Sequence, residues 1–171
     1  MKKFKENPYI FPIIGGFLTI IALFTPTSFH TEPGNTYYVW MSQIYLETDP
    51  GSFIPGLLRL DLLLLSFSTV FSVIIFSSAM ISITISFVYR KRSIAIKEHR
   101  KNGIIIAILI ALSTFAWIVM MEIFYRLNGY PHWSAGGGLY FPHFGVIGPF
   151  IGSAFILIGV LIEEKTKETR E

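Results

Sequence analysis

The chain has 171 residues, of which 52% are hydrophobic and 15% charged, and its mean hydropathy is +0.57. This composition excludes an ordinary soluble domain, which needs more polar surface at this length. Cysteine is absent, which excludes disulfides and thiolate chemistry, and the net charge of +3 comes from residues that flank apolar segments, so we expect no nucleic-acid partner.

Four apolar segments follow one another along the chain, and each is long enough to predict a membrane-spanning helix. We place these spans at about 9–26, 60–89, 103–125 and 144–162. The second is uncharged from Leu62 to Val88, which as a helix would extend about 40 Å and exceed the ~30 Å hydrocarbon core. We therefore expect it to tilt or to protrude from the bilayer.

The basic residues indicate which way the spans run. Twelve of the 14 Lys and Arg residues lie in the N-terminal segment 2–5, in Arg90–Lys101 and in the C-terminal segment 165–170. Because basic residues accumulate on the cytoplasmic side, this distribution predicts that both termini are cytoplasmic. The predicted fold is an all-α membrane protein, a four-transmembrane-helix bundle that forms one domain over 1–171 in the cell membrane. Its expected partners are the lipid bilayer and, at Arg90–Lys101, anionic inner-leaflet lipids.

Two exterior loops, at about 25–60 and 125–143, are rich in aromatic residues and predict a small exterior cap. Tyr37–Tyr45 and Leu139–Phe141 have the composition of strands, which indicates a short β-sheet. A short interfacial helix at Tyr38–Leu46 is an equally good interpretation. The aromatic residues themselves are typical of a membrane-interface belt, or of a binding surface.

Small residues recur on one face of two predicted helices, as helix packing within membranes requires. On the second span this face carries Ser68, Ser72, Ala79, Ser82 and Ser86, and on the fourth it carries Gly145, Gly148, Gly152 and Gly159. We interpret both stripes as internal packing surfaces. The alternative is that one of them contacts another copy of the chain or a membrane partner subunit.

Ionisable residues near the outer boundary form a candidate exterior polar pocket. Its members are Asp61, Glu122, Arg59, Arg126, His132 and His143. Glu122 and Arg126 are four residues apart, a spacing that favours a local ion pair. No ionisable residue lies at mid-membrane depth, which disfavours a proton-coupled transporter.

The remaining histidines give no further site. The exterior histidines lack the spacing of a metal motif, so we predict no metal, no cofactor and no catalytic residue. His99 lies within the basic segment, and we expect it to be solvated.

The order of these features resembles that of claudin-type four-span proteins. The shared features are four predicted helices with cytoplasmic termini, a longer first exterior loop containing Val39-Trp40-Met41, and Arg59 at the start of the second helix. The paired loop cysteines and the Gly-Leu-Trp signature of that family are absent here. The resemblance is one of architecture, and it implies no function.

These observations favour a non-enzymatic membrane protein that acts as a subunit or scaffold, through helix packing and an exterior loop surface. The first alternative is a small oligomeric transporter or channel whose outward-facing pocket contains Asp61 and Glu122. The second is a membrane enzyme or metal-binding protein that uses exterior histidines and acids.

Overall fold

The computed structural model describes residues 7–32, 35–42, 44–49, 52–57, 62–90, 96–127 and 141–168. Within them the helices are α1 (Ile10–Leu23), α2 (Leu62–Arg90), α3 (Ile96–Leu127) and α4 (Phe144–Glu168). The strands are β1 (Ser28–Glu32), β2 (Asn35–Val39), β3 (Ile44–Asp49), β4 (Ser52–Leu57) and β5 (Phe141–Pro142). The chain is therefore mostly helical, with one small sheet.

The four helices pack side by side in a ring, which we refer to as the bundle. α1 contacts α2 and α4, and α3 contacts the same two helices from the other side. Neighbouring helices are antiparallel, because residues early in one helix meet residues late in the next, as Gly103 does with Val160. The start of α1 and the end of α4 consequently lie at the same end as the α2–α3 connection.

Three helices, α2 to α4, are long and apolar enough to cross a membrane, as the composition predicts. α1 is shorter than the predicted span 9–26. Its 14 residues extend about 21 Å, less than the ~30 Å of a hydrocarbon core. The chain leaves the helix early because Phe24 and Thr25 close it with turn hydrogen bonds to Ile21 and Ala22.

α3 begins earlier than predicted. It starts at Ile96 rather than near residue 103, so that residues 96–101 of the basic segment are helical. Hydropathy cannot detect this extension, because lysine, arginine and glutamate form helices readily but are not apolar. We call this end of the bundle, where α2 ends and α3 begins, the basic end.

The sheet lies at the opposite end, which we call the cap end. Its strand order is β4-β3-β2-β1-β5, and every pairing is antiparallel. Tyr38 is paired with Phe29 on one side and with Leu46 on the other. The sheet interpretation is thus confirmed, and a helix at Tyr38–Leu46 is wrong, because those residues divide between β2, a turn and β3.

Apolar residues fill the interior and also cover the outer surface of the bundle. The buried core includes Ile75, Ile110, Trp117 and Ile156, and Met41 of the cap packs into it. Large apolar side chains on the outside, such as Val73, Leu112 and Phe115, are more than half exposed. A soluble protein does not present such a surface, whereas lipid tails solvate it readily.

Candidate functional site

The closest helix contact joins α1 and α4. A side chain at Gly152 would meet the hydroxyl of Thr19, and its Cβ would lie only 2.6 Å from the carbonyl oxygen of Gly15. Gly15 is equally restricted, because a Cβ there would meet the Gly152 carbonyl and would lie 2.8 Å from Ile156. Only glycine permits this approach of two backbones.

The rest of the α4 stripe follows the same contact. Gly148 lies against Ala22, Gly159 lies against Pro12, and Gly145 lies against the carbonyl of Pro26. All four glycines of the predicted stripe are buried. They therefore lie in the interface between α4 and the α1 segment.

The serine stripe of α2 faces α1 and α3. Ser82 donates a hydrogen bond to the carbonyl of Pro12, at 3.2 Å, and Ser86 donates to the carbonyl of Ser82, at 2.8 Å. Ala79 is buried against Gly16, where an added Cβ would lie 2.9 Å from the Ala79 carbonyl oxygen. Hydroxyl groups thus find acceptors at positions where the helices are close together.

A side-chain hydrogen bond connects α2 with α3 in the core. The indole Nε1 of Trp117 donates to the hydroxyl of Ser68 at 3.1 Å, and both residues are fully buried. One turn away, the buried hydroxyl of Ser72 has no hydrogen-bond partner among the described residues. Trp117 fills the space that a polar path along this part of the bundle would need.

The prediction that His99 is solvated is wrong. Its side chain is 2% exposed, its ring stacks on Tyr89 with a centroid distance of 4.2 Å, and Nε2 lies 3.5 Å from the Ser86 hydroxyl. His99 precedes Gly103 by four residues and so shares the inward face of α3. The spacing His99, Gly103, Ala107 is the signal that could have revealed this burial.

At the cap end, hydrogen bonds join the sheet to α4. The backbone N–H and the hydroxyl of Thr27 both donate to the carbonyl of Val39, each at 2.7 Å. The N–H of His143 donates to the carbonyl of Thr27, and the N–H of Gly145 donates to the carbonyl of Pro26. The first loop and the start of α4 therefore form one connected structure.

Tryptophan and aromatic contacts complete this junction. Trp40 donates from Nε1 to the carbonyl of Phe24 at 3.1 Å, satisfying a carbonyl at the end of α1. Phe29 packs against Tyr38, and His143 meets the Phe29 ring edge-on at 6.1 Å. Nδ1 of His143 is buried and has no hydrogen-bond partner among the described residues.

Of the predicted polar pocket, the structure describes three members. Glu122 and Arg126 form the expected i,i+4 ion pair, with Nε and Oε1 2.8 Å apart. The Arg126 side chain is 61% exposed, so this pair adds little stability. His143 belongs to the junction instead, while Arg59, Asp61 and His132 lie outside the described residues.

The described part of the chain contains no cluster of three or more His, Asp or Glu side chains that could hold a metal ion. Its chemistry is that of helix packing, of a sheet fixed to the bundle, and of charged residues at both ends. Comparison with known proteins adds no identity, since no family model and no curated protein matches the chain.

The bond between Trp117 and Ser68 can be measured with a double-mutant cycle. Trp117→Phe should destabilise the bundle by about 1–3 kcal/mol, because it leaves a gap and removes the indole N–H that donates to the buried Ser68 hydroxyl. Ser68→Ala should then destabilise the Trp117→Phe variant less than it destabilises the natural chain, and the difference is a coupling energy of about 0.6 kcal/mol. Equilibrium unfolding in detergent gives the free energy of unfolding of the natural chain, the two single variants and the double variant. Strictly additive effects would show that the hydrogen bond contributes nothing to stability.

Proposed function

We propose that this chain is a non-enzymatic integral membrane protein with four crossings and cytoplasmic termini, which acts as a subunit or scaffold and binds a partner through its exterior cap. The observation that carries the proposal is that the glycine and serine stripes lie inside the bundle. Sister helices occupy both stripes, so the stripes are not free to bind a partner, and the cap offers a surface that can.

The charge distribution supports the orientation. The basic end carries Arg90, Lys97, Arg100 and Lys101, whereas the cap end has Arg126 paired with Glu122. Positively charged residues favour the cytoplasmic side, which supports a cytoplasmic basic end and an exterior sheet. α1 would then be the fourth crossing, with its short length of about 21 Å accommodated by local thinning of the bilayer, and Trp40 at its end would lie at the outer membrane interface.

The interior of the bundle supports a structural role over transport. α2 from Leu62 to Val88 and α3 from Asn102 to Met121 contain no ionisable residue. The buried hydroxyls of Thr19 and Thr114 bond to carbonyls of their own helices, so they are not arranged to coordinate a passing ion. A path through the centre would also have to displace Trp117.

The construction of the cap supports a binding role. Val39 and Met41 are buried under it, and hydrogen bonds hold Thr27 to both the sheet and α4. The sheet is therefore fixed relative to the helices, and a partner that meets it loses little conformational entropy on that side. Half-buried Phe29 and Tyr38 offer aromatic contact area, which interfaces favour.

The orientation can be tested with single cysteines, since the natural chain has none. Ser42→Cys, in the turn between β2 and β3, should react with a membrane-impermeant maleimide on intact cells. Lys97→Cys, on the exposed side of α3, should react only after the cells are permeabilised. Labelling of Lys97→Cys from outside would reverse the assigned topology.

The binding surface can be tested by site-specific photo-crosslinking in cells. A photoreactive amino acid at Tyr38 should yield protein adducts, because this position lies in the cap. The matched control carries the same photoreactive amino acid at Phe115, an aromatic position that is 57% exposed on the apolar outer surface of α3. Adducts from Phe115 with none from Tyr38 would place the partner within the membrane and contradict a cap interface.

A further inference from the structure

The depth of α3 in the membrane follows from its charges. Between Lys101 and Glu122, α3 has 20 uncharged residues, Asn102–Met121, which extend about 30 Å and match the hydrocarbon core. Lys101 then lies at the headgroup level of one leaflet. The Glu122–Arg126 pair lies at that of the other leaflet.

An apolar ridge runs along the outside of α3. Ile105, Ile108, Leu112 and Phe115 are each more than half exposed, and their spacing of three and four residues keeps them on one face. Continued towards the start of the helix, the same face carries Lys101 and Lys97, which are both exposed. The two lysines therefore continue the lipid-facing surface.

The rotation of α3 is fixed by its opposite face. His99 is buried against Tyr89 and Ser86 of α2, and Gly103 is buried against Val160 of α4. The helix cannot turn Lys97 and Lys101 away from the lipid without exposing these contacts. The lysine ammonium groups are thus held where lipid phosphates lie.

The neighbouring helix adds another cation. Arg90, at the end of α2, is exposed, and its guanidinium lies 5.7 Å from the centre of the Tyr9 ring. The described start of α3 also contains one acid, the exposed Glu98. Basic groups still predominate at this end, so the local potential favours anions.

We propose that Lys97 and Lys101, at the foot of the α3 ridge, form a binding site for the headgroup of an anionic phospholipid. The acyl chains of that lipid pack along Ile105 and Ile108, and its phosphate meets the two ammonium groups. The site orders anionic lipid around the basic end. It does not depend on the cap or on any protein partner.

The test uses the full chain reconstituted in vesicles of phosphatidylcholine and phosphatidylglycerol. Electron paramagnetic resonance of spin-labelled lipids measures the relative association of the two headgroups with the protein. The natural chain should prefer phosphatidylglycerol, and Lys97→Gln or Lys101→Gln should each lower this preference by up to about fivefold at low salt. Because both lysines are exposed, neither change should disturb folding.

Two further variants control for charge. The double variant Glu122→Gln/Arg126→Gln removes the ion pair at the other end of the same helix, and with it one charge of each sign, so it should leave the preference unchanged. Glu98→Gln removes the opposing charge and should raise the preference. An unchanged preference in both lysine variants, or an equal fall in Glu122→Gln/Arg126→Gln, would overturn the proposed site.

Discussion

The rest of the structure depends on the contact between the backbones of α1 and α4 at Gly15 and Gly152. In a membrane no hydrophobic driving force brings apolar helices together, so close van der Waals contact must do so. Glycine on both sides lets the carbonyl of one helix approach the Cα of the other. The same alignment brings Gly145 to the carbonyl of Pro26, where the cap is fixed to the start of α4.

The surfaces of the bundle differ in composition according to what they contact. The glycines and serines of the two stripes face inward, and large apolar residues such as Leu112 are exposed on the outer surface. The sheet closes one end, and exposed lysines mark the other. α1 is the shortest of the four helices, and the sheet begins at Ser28, soon after α1 ends at Leu23. Met41, in the turn between β2 and β3, packs into the core with Trp117 and Met121.

Much of this arrangement could be predicted from the sequence. Hydropathy located α2 to within two residues at each end and located the start of α4, because each contains a continuous apolar run; α4 continues to Glu168, six residues past the predicted end, because charged residues can extend a helix. Small-residue spacing identified the inward faces, since close helix contact excludes large side chains. The start of α3 was predicted too late in the chain, because charged residues end an apolar stretch of sequence without ending a helix. The burial of His99 was missed because its basic neighbours suggested solvent.

Other features could not be predicted, for a different physical reason. The strand order of the cap depends on pairing between segments far apart in the chain, such as Ser28 with Pro142, and local composition carries no information on it. The same holds for the junction of Thr27 with Val39 and His143. Arg59, Asp61 and His132 lie outside the described residues, so the polar pocket stays a prediction for three of its six members.

The most direct test of the account is a matched pair of substitutions on α4, one at Gly152 and one at Ala154. A side chain at Gly152 would meet Thr19 and the carbonyl of Gly15 on α1, whereas Ala154, two residues later, is exposed. Gly152→Val should therefore lower the free energy of unfolding of the monomer in detergent by about 1–3 kcal/mol, and Ala154→Val should leave it nearly unchanged. A Gly152→Val variant that loses a dimer formed by the natural chain but keeps the stability of the monomer would show that the glycine stripe contacts another copy instead of α1.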